Sequence, residues 1–147
     1  MIWLFDVNVL IAIADPEHVF HDAIHRWLAE TPDKTWASCS ITENGMVRVI
    51  TQATYRSGTR SATEAVATLR QMKEATPWRH VFWAEELSIT DSQAIYAERI
   101  AGANQVTDVY LAALALRNAG RLVTFDSRVP WQAVASGTAR LIEIPVR

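Results

Sequence analysis

Residues 1–14 read MIWLFDVNVLIAIA. The apolar run Ile2–Phe5 is unbroken and stops abruptly at Asp6. A short run with no polar alternation suits a strand covered on both faces, as in a parallel sheet. Near the other end of the chain, RLVTFDSR (121–128) repeats the plan, with Leu122–Phe125 ending at Asp126. Leu141–Ile144, Val81–Trp83 and Thr35–Ser38 complete a set of brief strand candidates, and Val81–Trp83 is again continuously apolar.

Helical patterns fill the intervals. Val19, Phe20, Ala23, Ile24, Trp27 and Leu28 recur at helix spacing and form one apolar stripe. Ser40 and Glu43 have capping-box spacing and open a helix through about Ile50. Ser61 precedes a helix carrying Ala62, Val66 and Leu69 that stops near Pro77. Thr90 and Asp91 open another, with Ala94, Ile95 and Ala97. Asp108 begins an almost wholly apolar helix, Val109–Leu116, closed by Asn118 and Gly120, which reads as central and buried. Strands alternating with helices predict an α/β fold with a mostly parallel sheet. No repeat, low-complexity tract or linker divides the chain, so residues 1–147 are expected to form one domain.

Composition narrows the function classes. Half of the 147 residues are hydrophobic and 20% are charged, which excludes a disordered chain. The longest apolar run, Val109–Leu116, lies between Asp108 and Arg117 and falls short of the roughly 20 residues of a membrane span. Asp6 interrupts the N-terminal apolar stretch and no basic segment precedes it, so no signal peptide is expected. One cysteine, Cys39, excludes an internal disulfide framework and suits a reducing cytoplasm. The net charge of −2 conceals an asymmetry. Residues 1–47 carry seven acids against Arg26 and Lys34, whereas residues 48–80 carry Arg48, Arg56, Arg60, Arg70, Lys73 and Arg79 against Glu64 and Glu74. A basic stretch beside an acidic one can hold phosphates near bound cations; solvated helix faces explain the same residues singly.

Four acids share similar structural addresses. Asp6 and Asp126 follow strands, while Glu43 and Asp108 lie in the opening turns of helices. In a parallel α/β sheet these positions gather along one edge, where ligands bind. Each acid also has a purely structural reading. Asp6 can N-cap the helix from Val7, and Glu43 can complete the Ser40 capping box. Asp108 can serve the helix dipole with Thr107 as cap, and Asp126 can belong to a tight FDSR turn. Jointly they point elsewhere, because clustered carboxylates repel unless a cation joins them. An all-oxygen site suits Mg²⁺ or Mn²⁺, and one or two such ions can activate a water for phosphodiester cleavage.

Four blocks carry a family resemblance: FDVNVLIAIADPEH (5–18), SITENGMVRVI (40–50), VTDVYLAALALRNAG (106–120) and RLVTFDSRV (121–129). In order and spacing they resemble the blocks of PIN-domain ribonucleases, with the VapC toxins of type II toxin–antitoxin modules the nearest branch. The resemblance implies a three-layer α/β/α sandwich around a mostly parallel sheet of four or five strands. It implies Mg²⁺- or Mn²⁺-dependent endonuclease cleavage of RNA. It carries over Asp6, Glu43, Asp108 and Asp126 as the acidic metal site, with Asn8 and Thr107 as supporting polar residues. Asp126 is the acid that the family pattern makes indirect or specific to a second ion. The family also implies a homodimer and inhibition by a small VapB-like antitoxin. Residues 55–90 match no block, so RNA choice is not carried over; the loop Arg56–Ser61 (RSGTRS) is expected to be exposed, where Arg56 or Arg60 could meet RNA phosphate.

Other patterns carry less. His21-Asp22-Ala23-Ile24-His25 has the histidine spacing of the H-E-x-x-H zinc motif, but Asp replaces Glu and no third ligand follows. With His18 these histidines are expected on a solvated face. Cys39 is expected to fill space at a strand end, Trp27 and Trp83 to be core, and Trp131 to lie at the surface. A haloacid-dehalogenase-like phosphatase also places Asp after its first strand, but it needs Asp where Asn8 stands and a later lysine, and none follows Lys73. A PIN-like scaffold that binds RNA or protein without cleaving it is the non-catalytic alternative.

Overall fold

The computed structural model describes residues 1–146. Five parallel strands form one sheet: β1 (Trp3–Phe5), β2 (Thr35–Ser38), β3 (Arg79–Phe82), β4 (Arg121–Val123) and β5 (Ile142–Glu143). Their order is β3-β2-β1-β4-β5, so the first strand is central and the chain departs from it in both directions. Helices α1 (Val7–Ala14) and α2 (His21–Glu30) connect β1 to β2. Helices α3 (Ser40–Ile50) and α4 (Ala62–Glu74) connect β2 to β3, and α5 (Ala103–Arg117) precedes β4.

The pleat of β1 explains the layers. Trp3 and Phe5 point to one side and Leu4 to the other, because side chains alternate along a strand. Trp3, Phe5, Trp36 and Val123 pack with Val9 and Leu10 of α1, Ile24 of α2, Met46 and Ile50 of α3 and Leu69 of α4. Leu4, Ala37 and Leu122 pack instead with Leu111, Leu114 and Ala115 of α5. Phe5 stacks on Trp36 with ring centroids 5.3 Å apart, which reinforces the first layer. Continuous apolarity in Ile2–Phe5 thus has the expected cause, burial on both faces.

Some sequence expectations are corrected. Val81–Trp83 is not covered throughout: β3 lies at the sheet edge, and Phe82 is 52% exposed. Val19 lies outside the α2 stripe and is exposed, because α2 begins two residues later, at His21. No α-helix forms from Thr90; only Ala97–Arg99 makes a 3₁₀ turn. Ser88 and Asp91 side chains accept from Thr90 and Gln93 amides, while Tyr96 and Ala135 pair across to Ala133 and Ala94. Those local and tertiary bonds displace the helical ladder. The buried helix starts earlier than expected, with Gly102 as its N-cap, so neither Thr107 nor Asp108 caps it. His21 and His25 are not simply solvated: His21 Nδ1 is 2.7 Å from the Ala12 carbonyl oxygen and His25 Nε2 is 3.0 Å from that of Ile13. They satisfy carbonyls at the end of α1.

Two glycines permit close approaches. A Cβ on Gly45 would lie 2.5 Å from Val7 Cγ2, so α3 rests directly on the start of α1. A Cβ on Gly120 would lie 2.6 Å from the Ile2 carbonyl oxygen and 2.7 Å from the Trp83 ring. Gly120 joins α5 to β4, where backbone and a buried indole leave no room to yield. Gly120→Ala is therefore expected to destabilise the fold by about 1–3 kcal/mol, read as a lower urea midpoint at unchanged slope.

Candidate active site

The strand order reverses between β1 and β4, and side chains from both strand ends meet there. Asp6 directly follows β1. Its amide donates to the Val123 carbonyl at 3.1 Å, continuing the ladder with β4. Its carboxylate caps α1, with Oδ1 accepting from the Val7 amide at 2.7 Å. Oδ2 accepts from the Thr124 hydroxyl at 3.0 Å. Thr124 is 1% exposed, and its Oγ1 also accepts from the Asp126 amide at 3.2 Å. One buried hydroxyl therefore links two of the acids. Thr124 was absent from the sequence reading, although a lone polar residue before Asp126 in an apolar strand was the available signal.

Asp108 comes from the second turn of α5 and is half-buried. Burial pushes its carboxyl up to about 6, and the neighbouring charges of Asp6 and Asp126 add to the rise. Burial likewise raises Asp6, opposed by its bonds from Thr124 and Val7 and assisted by Asp126. Asp126 is shifted downward instead, chiefly because the Arg128 side chain and then its backbone bond it. The Arg128 amide and Nε lie 2.8 and 3.1 Å from Asp126 Oδ1. The tight turn expected at FDSR is present, and Asp126 still couples electrostatically to Asp6 and Asp108. A cleft of about 390 Å³ opens beside these residues, lined by Gly102, Asn104, Gln105, Asp108, Asp126 and Arg128.

Glu43 is engaged differently. It lies in the first turn of α3, but Cys39 and Thr42 form the capping box there, not Ser40 and Glu43. Glu43 Oε1 accepts from Ser38 Oγ at 2.5 Å and pairs with Lys73 Nζ at 2.5 Å. His80 Nε2 stands 2.7 Å from the same Ser38 hydroxyl. Since that hydroxyl gives its proton to Glu43, His80 supplies an N–H. Asn8 and Thr107 are exposed and make no side-chain hydrogen bond to these acids among the described residues.

The structure thus brings Asp6, Asp108 and Asp126 together and holds Glu43 on a separate set of partners. Among the described residues no three acidic, histidine or cysteine side chains are arranged to hold a metal ion directly. Mg²⁺ does not require that arrangement, since it keeps several waters and takes one or two carboxylates. Burial first, and neighbouring carboxylates second, raise Asp6 and Asp108 at this place. Oxygen-only donors and carboxyls raised by burial and by their neighbours fit a hard divalent cation.

The family model for PIN domains matches residues 3–136. Ribonuclease VapC44 of Mycobacterium tuberculosis is 44% identical over 136 residues, spanning 92% of this chain and 93% of that protein. Ribonuclease VapC39 of the same organism is 36% identical over 141 residues, spanning 96% and 97%. The crystal structure of VapBC2 from Rickettsia felis, bound to a promoter DNA fragment, shares the fold with a TM-score of 0.62 at 16% identity, covering 98% of each chain.

The elevated Asp108 carboxyl has a measurable consequence. A carboxyl raised from 3.8 to about 6 contributes stability that is present below the ordinary value and lost as pH rises through about 6. In EDTA, Asp108→Asn is expected to be more stable than the wild type at pH 7.5, by on the order of 1–2 kcal/mol after allowance for solvent screening. Near pH 3.5 that advantage should vanish. Equal effects in urea melts at both pH values would show that Asp108 is not shifted.

Proposed function

The chain belongs to the PIN-domain family, and on that premise we propose that it is a divalent-metal-dependent endoribonuclease, the toxin of a VapBC-type toxin–antitoxin module. The observation that carries this reading is the convergence of Asp6, Asp108 and Asp126 beside the strand-order reversal, where Asp6 and Asp126 add to the rise that burial gives the Asp108 carboxyl. Relatives named as ribonucleases at 44% and 36% identity support the reaction class.

In this reading Asp6 and Asp108 hold Mg²⁺ or Mn²⁺ directly or through water, and Glu43 joins them from α3. Asp126 closes the acidic pocket and tethers Arg128. When bound, the ion activates a water and stabilises the leaving oxygen of a phosphodiester. The residues of the chain supply placement. Val7 N–H and Thr124 fix both oxygens of Asp6, so its carboxylate cannot swing away. Arg128 is exposed at the cleft and can meet RNA phosphate. Asn8 and Thr107, exposed on the first turn of α1 and beside Asp108, are placed to orient water.

A homodimer and a VapB-like antitoxin complete the proposal. An apolar cleft of about 400 Å³, lined by Phe5, Leu28, Trp36, Met72, Pro77 and Trp78, suits the apolar segment of a protein partner. Among the described residues no helix is long and apolar enough to cross a membrane, and we place the protein in the cytoplasm with its RNA substrate.

The test is cleavage of RNA by purified protein with Mg²⁺, with Mn²⁺ and with EDTA, beside Asp6→Asn and Asp108→Asn. Cleavage should require metal, and each variant should lose at least about 100-fold in rate while keeping its circular dichroism. Wild-type rates in Asp108→Asn at saturating Mg²⁺ would remove that residue from the site. Metal-independent binding of RNA without cleavage would favour a non-catalytic scaffold.

A further inference from the structure

Glu43 has a cation already. Lys73, in the last turn of α4, places Nζ 2.5 Å from Glu43 Oε1, with the two side chains only 29% and 19% exposed. Ser38, fully buried at the end of β2, donates to the same oxygen. Both donors therefore converge on Oε1, one from β2 and one from α4. Lys73 is steadied in turn by the Phe82 ring, whose centroid lies 5.7 Å from Nζ. Meanwhile the charges that add to the burial-driven rise of Asp6 and Asp108 are those of Asp126 and, for Asp108, Asp6. The fourth acid is thus neutralised apart from the other three.

We propose that Lys73 is a positioning residue that holds Glu43 on an internal ion pair and competes with a divalent ion for its carboxylate charge. This rests on the metal-dependent reading given above. With Ser38 and Lys73 both on Oε1, a divalent ion would meet Glu43 through Oε2 and would share one carboxylate charge with a nearby ammonium, whose repulsion opposes it. Metal binding through Glu43 therefore competes with the Lys73 pair, and the pair sets the ion concentration at which the four-acid site closes. Among the six cations of residues 48–80, Lys73 is the one this structure pairs with an acid of the proposed site. Arg56 and Arg60, by contrast, lie in the loop that follows α3.

The competition has a sign that loss of structure would not produce. Removing a supporting residue ordinarily weakens metal binding, about 10- to 100-fold for an outer-shell partner. Removing a competitor strengthens it. Isothermal titration calorimetry with Mn²⁺ on wild type, Lys73→Met, Glu43→Gln, the double variant and Asp6→Asn separates these outcomes. Lys73→Met is expected to bind Mn²⁺ about 3- to 10-fold more tightly, the range of a partly exposed ion pair. In the Glu43→Gln background the same substitution should bring little gain, because there is no pair to break. Unchanged or weaker binding in Lys73→Met would overturn the proposal. So would an equal gain in both backgrounds, which would report only the field of a removed charge. If wild type and Asp6→Asn both failed to bind Mn²⁺, the metal site itself would fall, and this inference with it.

Discussion

The hydrogen bond from Thr124 to Asp6 joins the two strands between which the sheet reverses direction, and the site is built outward from it. Its existence depends on register. Phe5 pairs with Val123 because both bury their side chains on the same face of the sheet. A slip of one residue would turn each strand's apolar set to the wrong layer. With register held by packing, the next residues out, Asp6 and Thr124, must stand side by side at the strand ends. Asp6 then does two jobs with one carboxylate, capping α1 with Oδ1 and accepting the Thr124 hydroxyl with Oδ2. The core thus fixes the acids by consequence, through aromatic and aliphatic side chains that never touch a substrate.

Much of this was legible because the signals are local. Continuous apolarity in Ile2–Phe5, the abrupt Asp6, the Ser61 cap and the helix through Ile50 each reflect an interaction within a few residues. The parallel α/β class followed from their alternation, and the five-stranded sheet agrees with it. What escaped depends on distant partners. Edge position exposes Phe82, and no strand sequence states its place in the sheet. Residues 90–97 have helical residues, yet pairing between Ile95 and Val134 pulls them into an irregular path. The Ser40–Glu43 spacing matched a capping box, but Thr42 and Cys39 filled it, leaving Glu43 to Ser38 and Lys73. Those partners come from separate strands and helices, up to 30 positions away, beyond the reach of spacing rules.

The Arg56–Ser61 loop shows the same limit in another form. It was expected to be a plain exposed connection, and Arg56, Gly58 and Thr59 are exposed. Ser57, however, donates to the buried Asp15 at 2.5 Å, as does Tyr55, while the Arg60 amide donates to the Ile50 carbonyl. Burial and then the bond to the Asp15 carboxylate push the Tyr55 hydroxyl up to about 12, so it stays a donor at neutral pH. The loop is therefore tied to the end of α1 by a charge-assisted network. Such a network can be strong because every bond to Asp15 favours its ionised form, and burial is offset by three donors.

Asp15 and the acids of the cleft illustrate opposite solutions to one problem. Asp15 is buried among donors and is held below the ordinary carboxylate range despite its desolvation. Asp6 and Asp108 are shifted the other way, because the donors around them do not cancel burial and mutual repulsion. Both arrangements use the same residue type within one layer-built fold, so residue identity alone cannot separate structural acids from functional ones. The difference lies in whether the protein completes the carboxylate's demand for positive charge or leaves it open. Lys73 and Arg128 place Glu43 and Asp126 with the completed class, and Asp6 and Asp108 remain in the open one. A cation drawn to the site meets a charge deficit at two acids and a competitor at each of the other two. That asymmetry, invisible in a motif of four acidic letters, arises because α4 ends where β2 delivers Ser38 and α3 begins.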